Sequence, residues 1–177
     1  TLDARGVNAI LRLHDSYRFD RSYTRFLEAL SRSHPNLLLK FKDRSPDNFL
    51  DMQVSDVLIT NYSSIANLYY ATGRPTIHVY PVASDAEQFM WRRYTPLGVM
   101  KRKVDSVRFT WKLPPEENGG LMARSFEEMM QQLDMALDDP LCCRERARDF
   151  LDRHMMGADG RSCARAHEAI REMLDPL

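Results

Sequence analysis

At 177 residues the chain has the length of one ordinary domain, and its hydrophobic fraction of 44% supplies enough apolar side chain for a buried core. Lysine plus arginine equals aspartate plus glutamate at 25 each, so no global field argues for nucleic acid or for an acidic partner. No apolar run approaches the ~20 residues that span a bilayer, and no signal-peptide pattern opens the chain. Three cysteines, two of them the neighbours Cys142 and Cys143, fit neither a disulfide framework nor a zinc spacing, so the expectation is a reduced, cytoplasmic protein with structural thiols.

Asn8 to Leu13 reads as the first strand. Asp20 is placed to cap a helix whose apolar positions, Tyr23, Phe26, Leu27 and Leu30, fall at helical spacing, and His34-Pro35-Asn36 ends it. Leu37 to Phe41 is a second strand. Ser45-Pro46-Asp47 predicts the start of a short helix ending near Met52. Val57 to Thr60 is a third strand, Ile65 to Ala71 a helix with Gly73 as its stop, and Thr76 to Tyr80 a fourth strand. Short connections between alternating strands and helices predict an α/β fold, a doubly wound parallel sheet flanked by helices.

Ser84 to Arg93 is helical by pattern. Tyr94 to Leu121, rich in proline and glycine, reads as loops with one short strand from Val107 to Trp111. Ser125-Phe126-Glu127-Glu128 is a capping box opening a helix to about Leu137. Asp139-Pro140 punctuates, a second helix runs to about His154, and Met156 to Gly160 is a turn. A last helix opens at Arg161 or Ser162 and ends before Pro176, giving a helical carboxyl-terminal segment.

Ser55-Asp56-Val57-Leu58-Ile59-Thr60-Asn61-Tyr62-Ser63-Ser64-Ile65 is the stretch around which the rest is organised. It predicts a buried parallel strand, a tight turn and a helix start at the sheet's carboxyl edge. Helix starts present backbone donors and a partial positive charge, so this end suits a phosphate, and two adjacent hydroxyls add donors without bulk. Local pattern alone equally allows Ser63 to be a plain helix cap.

The segment Asn61-Tyr62-Ser63-Ser64 resembles the Asp-Tyr-Ser-Ser motif of CDP-glycerol glycerophosphotransferases, with an amide in place of the first carboxylate. Arg12-Leu13-His14 is similar to that family's Arg-x-His-Pro, with Asp15 where proline is usual. Gly73 to Tyr80 looks like the strand after the motif helix, and Asp159-Gly160-Arg161-Ser162 resembles the late Asp-Gly-Lys/Arg element. The four matches follow the family's order across most of the chain.

The resemblance implies the carboxyl-terminal, donor-binding half of a GT-B fold. The chain is then a single domain, residues 1–177, from a longer two-domain protein. Ser63, Ser64, Tyr62 and Asn61, with Arg161, would hold the donor diphosphate, and His14 would bind or activate it as the catalytic histidine. Arg12, Asp85, Asp159 and Gly160 are candidates for nucleotide or ribose contacts, although alternation leaves Arg12 more readily structural. The implied donor is a CDP-alcohol or another nucleotide-linked donor. The acceptor is an anionic polymer or lipid-linked chain presented by an upstream domain, and neither metal nor cofactor is implied. The family's second catalytic histidine belongs to a Gly-x-x-His-Gly motif, which these residues lack, so this chain alone is expected to turn over little or nothing. A nucleotide-sugar GT-B enzyme or epimerase, or a non-catalytic nucleotide-binding module, remains open at this point.

His78, mid-strand, reads as a satisfied core histidine, and His154 and His167 have no metal-ligand partners. Between Arg92 and Lys112 stand seven basic residues against one acid, Asp105. A solvated loop face is the plain reading. The alternative is a basic lip for an anionic polymer or for lipid head groups at the inner face of the cell membrane.

Overall fold

The computed structural model describes residues 2–14, 20–61, 63–80, 89–95, 97–104, 115–155 and 159–174. In chain order the elements are β1 (Ala9–Arg12), α1 (Arg21–Ser33), β2 (Leu37–Lys40), α2 (Phe49–Val54), β3 (Leu58–Thr60), α3 (Ile65–Tyr70) and β4 (Thr76–Val79). They continue with β5 (Phe89–Thr95), β6 (Gly98–Val104), β7 (Leu121–Ala123), α4 (Phe126–Asp138), α5 (Arg144–His154) and α6 (Ser162–Leu174). The chain divides into two compact units, one of Thr1–Ser55 with Ser84–Phe109 and one of Asp56–Ala83 with Thr110–Leu177. Both are α/β, with parallel strands flanked by helices.

In the first unit β1 and β2 pair in parallel from Ala9↔Leu37 to Arg12↔Lys40. Asp20 caps α1 as its side chain predicts, accepting a hydrogen bond from the Tyr23 amide at 3.1 Å. Leu27 is the buried residue of the helix, and Ser31 donates its hydroxyl to the Leu37 carbonyl at 2.8 Å, tying α1 to β2. The next helix begins later than Pro46 suggests. Asp47 accepts from the Phe49 amide at 2.7 Å, so the capping carboxylate rather than the proline sets the start of α2.

β5 and β6 form an antiparallel hairpin whose register runs from Phe89↔Val104 to Thr95↔Gly98. This corrects the expected helix over Phe89 to Arg93 and the expected loop directly after it; the helix's expected part from Ser84 to Gln88 lies outside the described residues. Phe89, Trp91, Tyr94 and Thr95 are residues that suit a strand, and the pairing continues to Thr95↔Gly98. The short strand expected from Val107 to Trp111 lies outside the described residues.

In the second unit β3, β4 and β7 form a parallel sheet in that order. In β4, Thr76, Ile77 and His78 are all buried. Successive strand residues face opposite sides, so both faces of the sheet are covered here. Ala66 and Tyr70 of α3 pack with Ala147, Phe150 and Leu151 of α5, with the Tyr70 and Phe150 rings edge to face at 4.9 Å.

β7 was not expected. It enters after Gly119-Gly120, a pair that marks a close approach rather than a loop: a Cβ on Gly120 would lie 2.4 Å from the Thr76 carbonyl oxygen. Arg146 of α5 fixes this entry by donating to the carbonyls of Asn118 at 3.0 Å and Glu116 at 2.7 Å. Ser125 caps α4 as expected, accepting from the Glu128 amide at 3.1 Å, while the Glu128 carboxylate reaches one residue beyond the cap and accepts from the Arg124 amide at 2.7 Å. Among the described residues no helix is long and apolar enough to cross a membrane.

Candidate functional site

Asn61, Ser63 and Ser64 share one exposed turn between β3 and α3, where the sequence places them; Tyr62 lies outside the described residues. Ser64 occupies the position before the helix but makes no capping bond through its side chain. Ser63 takes that role, its Oγ accepting from the Ile65 amide at 3.4 Å. The amides of Ala66 and Asn67 turn back onto the carbonyls of Ser63 and Ser64 at 3.2 and 3.1 Å. With six residues, α3 is too short for a large macrodipole. The weight of any anion contact therefore shifts to the hydroxyls of Ser63 and Ser64, each of which carries a rotatable donor.

The turn rests on a buried polar group that no local sequence pattern connects to it. His78 Nδ1 lies 3.2 Å from the Asn61 carbonyl oxygen and Nε2 lies 2.5 Å from Tyr70 Oη. The carbonyl can only accept, so Nδ1 carries the proton and Tyr70 donates to Nε2. Tyr80 stacks on the imidazole at 5.9 Å with the rings 6° from parallel. Burial first, opposed by the Asn61 carbonyl, lowers the pKa of His78 from its ordinary value and keeps the ring neutral. Burial likewise pushes the Tyr70 phenol up to about 12. His78 is thus a satisfied core histidine, and its Nδ1–H pins the first residue of the turn. The signal was an asparagine just after one strand, a tyrosine ending the following helix and a histidine in the next strand, which only the three-dimensional pairing relates.

Asp85 lies outside the described residues. Asp159, Gly160 and Arg161 form a second exposed turn, at the start of α6, and Gly160 adopts a left-handed φ of 72°. Asp159 accepts from the Arg161 amide at 2.9 Å, but its ion pair is with Arg165, at 2.7 Å. The Arg165 hydrogen bond, then that of the Arg161 amide, holds the carboxyl below its usual range. Among the described residues no hydrogen bond or ion pair joins Arg161 to the Ser63–Ser64 turn.

In the first unit, His14 is exposed just beyond β1. Arg12 is committed to structure. Its guanidinium donates to Asn48 Oδ1 at 2.5 Å, to the Ser45 carbonyl and to the Asp47 carbonyl at 3.1 Å, and pairs with Asp51 at 3.1 Å. Lys40 meets the other Asp51 oxygen at 2.5 Å. These contacts tie the carboxyl ends of β1 and β2 to the loop before α2, in keeping with the structural role that strand alternation favours for Arg12.

Cys142 and Cys143 are free thiols with sulfurs 3.8 Å apart, and burial ahead of the neighbouring thiol pushes Cys142 up to about 12, which makes it a poor nucleophile. Among the described residues no group of His, Cys, Asp or Glu is placed to hold a metal ion. The chain matches no protein-family model, and comparisons with curated proteins and with solved structures find no match.

Proposed function

We propose that this chain is the donor-nucleotide-binding part of a transferase that moves an alditol phosphate from a CDP-alcohol to a growing cell-surface polymer, as a carboxyl-terminal GT-B half working at the inner face of the membrane. The observation that carries the reading is the exposed Asn61–Ser64 turn at the carboxyl edge of a parallel sheet, held in place by the neutral pair His78–Tyr70. Ligands of open α/β sheets bind at that edge, and a turn fixed from beneath presents its hydroxyls without an ordering cost at binding. Asn61 takes part through its backbone carbonyl, so its departure from the family's carboxylate leaves the support of the turn intact. By the family resemblance alone, His14 and Arg161 would each have a role toward the donor, Arg161 as a planar fork for phosphate.

Catalysis requires an acceptor hydroxyl, a base and an aligned electrophilic phosphorus, and the upstream half would supply the first two. The isolated chain binds donor and forms no polymer.

The test is a thermal-shift and calorimetry panel of CDP, CDP-glycerol, CDP-ribitol, UDP and UDP-sugars, because a ligand that binds only the native state raises its stability. A preference for CDP-alcohols supports the reading, and a preference for UDP-sugars replaces it with a nucleotide-sugar enzyme. Replacing both Ser63 and Ser64 by alanine should weaken binding more than tenfold, about 1.4 kcal/mol or more. An unchanged dissociation constant in the folded double variant removes the diphosphate site from this turn.

A further inference from the structure

The hairpin β5–β6 is locally basic in a chain whose formal net charge is zero. Its strands have seven residues each and carry Arg92, Arg93, Lys101, Arg102 and Lys103, with no aspartate or glutamate between Phe89 and Val104. The register sets Arg92 directly opposite Lys101. Like charges facing each other across an antiparallel pair destabilise it, so the hairpin is improved by anything anionic that lies along it.

The tip is built differently. Thr95 donates its hydroxyl to the Gly98 carbonyl at 2.9 Å, and Gly98 takes a φ of 133°, a conformation that side chains disfavour. This closed turn holds Leu97 out at full exposure (101%), with Met100 at 59% on the adjoining strand. A single exposed leucine is ordinary. An exposed leucine in a hairpin whose sequence carries five cations and the aromatic residues Trp91 and Tyr94 has the makeup of a membrane-interface anchor.

We propose that the β5–β6 hairpin binds an anionic lipid bilayer, with Leu97 entering the head-group region and the basic residues of both strands meeting the lipid phosphates. The two parts answer two properties of one surface, since polybasic attraction and a small apolar anchor are each weak alone and sufficient together. Nucleic acid offers the charge but no apolar layer for Leu97 and Met100. The proposal gives the membrane-side working place its contact surface and does not depend on the nucleotide reading.

The experiment is co-sedimentation of the 177-residue chain with vesicles of phosphatidylcholine, with and without 30 mol% phosphatidylglycerol (about a third anionic, enough for a strong surface potential). Binding is expected only with the anionic lipid, and it should weaken as salt rises. Each basic residue near such a surface contributes roughly a fivefold factor, so Lys101→Gln with Lys103→Gln should weaken binding roughly 25-fold. Leu97→Ser should cost about tenfold and leave the salt dependence unchanged. The salt titration uses the unaltered chain, so it decides even if a variant misfolds. Equal pelleting with both vesicle types, equal binding by wild type and variants, or capture by soluble polyphosphate or RNA with none by vesicles overturns the proposal. Nucleotide binding is read separately, so a failed vesicle assay leaves the donor reading standing, and the reverse.

Discussion

Each unit uses one polar residue of a parallel strand to hold a loop, and the two do it by opposite means. In the first, Arg12 of β1 grips the loop at Ser45–Asn48 and shares Asp51 with Lys40, a charged cluster whose side chains keep 20% and 10% of their surface in the Arg12–Asp51 pair. In the second, His78 of β4 grips the Asn61 turn through a neutral ring buried between two tyrosines. A charged clamp tolerates water and needs its counter-charge. A neutral clamp tolerates burial and needs its protonation state.

The largest effect should follow from removing the shared carboxylate. Asp51→Ala leaves Arg12 and Lys40 facing each other without a counter-ion, and we expect a loss of about 3 kcal/mol in urea unfolding. A loss below 1 kcal/mol would mean that water already screens the cluster. His78→Phe should cost about 2 kcal/mol, because the Tyr70 hydroxyl and the Asn61 carbonyl both lose a buried partner. His78→Asn, which can return a donor near the Nδ1 position, should recover part of nucleotide affinity before it recovers stability. If both variants bind donor like wild type, the turn does not depend on its support.

Acid distinguishes the clamps more gently. The folded-state pKa of His78 lies below its unfolded value of about 6.5, so the unfolded chain takes up the proton first. That stabilisation is complete above about pH 6.5 and is lost as pH falls below it through the folded pKa. The melting temperature should drop between pH 7.5 and 5 more steeply in wild type than in His78→Phe, and parallel slopes would remove the histidine from the account. Salt should have the smallest effect. Raising ionic strength to 1 M shortens screening to about 3 Å and should weaken the Asp51 cluster by less than 1 kcal/mol while leaving the imidazole clamp untouched. Hydrogen exchange of β1 and β2 amides against β3 and β4 amides resolves the two.

The repeating strand and helix segments were legible because each carries its own local signal: apolar runs at Leu37–Lys40 and Leu58–Thr60, and capping side chains at Asp20 and Ser125. The hairpin was misread because Phe89 to Arg93 has large residues at spacings that satisfy a helix as well as a strand, and only pairing with β6 decides. β7 was missed because three residues after two glycines carry almost no pattern. The Ser63–Ser64 turn was legible from the serines that follow a strand. Its support was not, since Asn61 and His78 meet only through sheet register. Strand alternation already favoured a structural Arg12, but its partner Asp51 lies 39 positions away and no local pattern names it.

The sheet of the second unit is discontinuous along the chain: it is left at Val79 and rejoined at Leu121, with the hairpin in the excursion. For folding, β7 is a late arrival that must close a long loop before its pairing with β4 rewards it. For divergence, the same topology is permissive, because closure entropy grows with the logarithm of length and doubling the excursion costs only about 0.6 kcal/mol. The excursion can therefore lengthen, shorten or change its chemistry while the sheet persists. The point of re-entry has no such latitude, since any side chain at Gly120 would meet the backbone of Thr76.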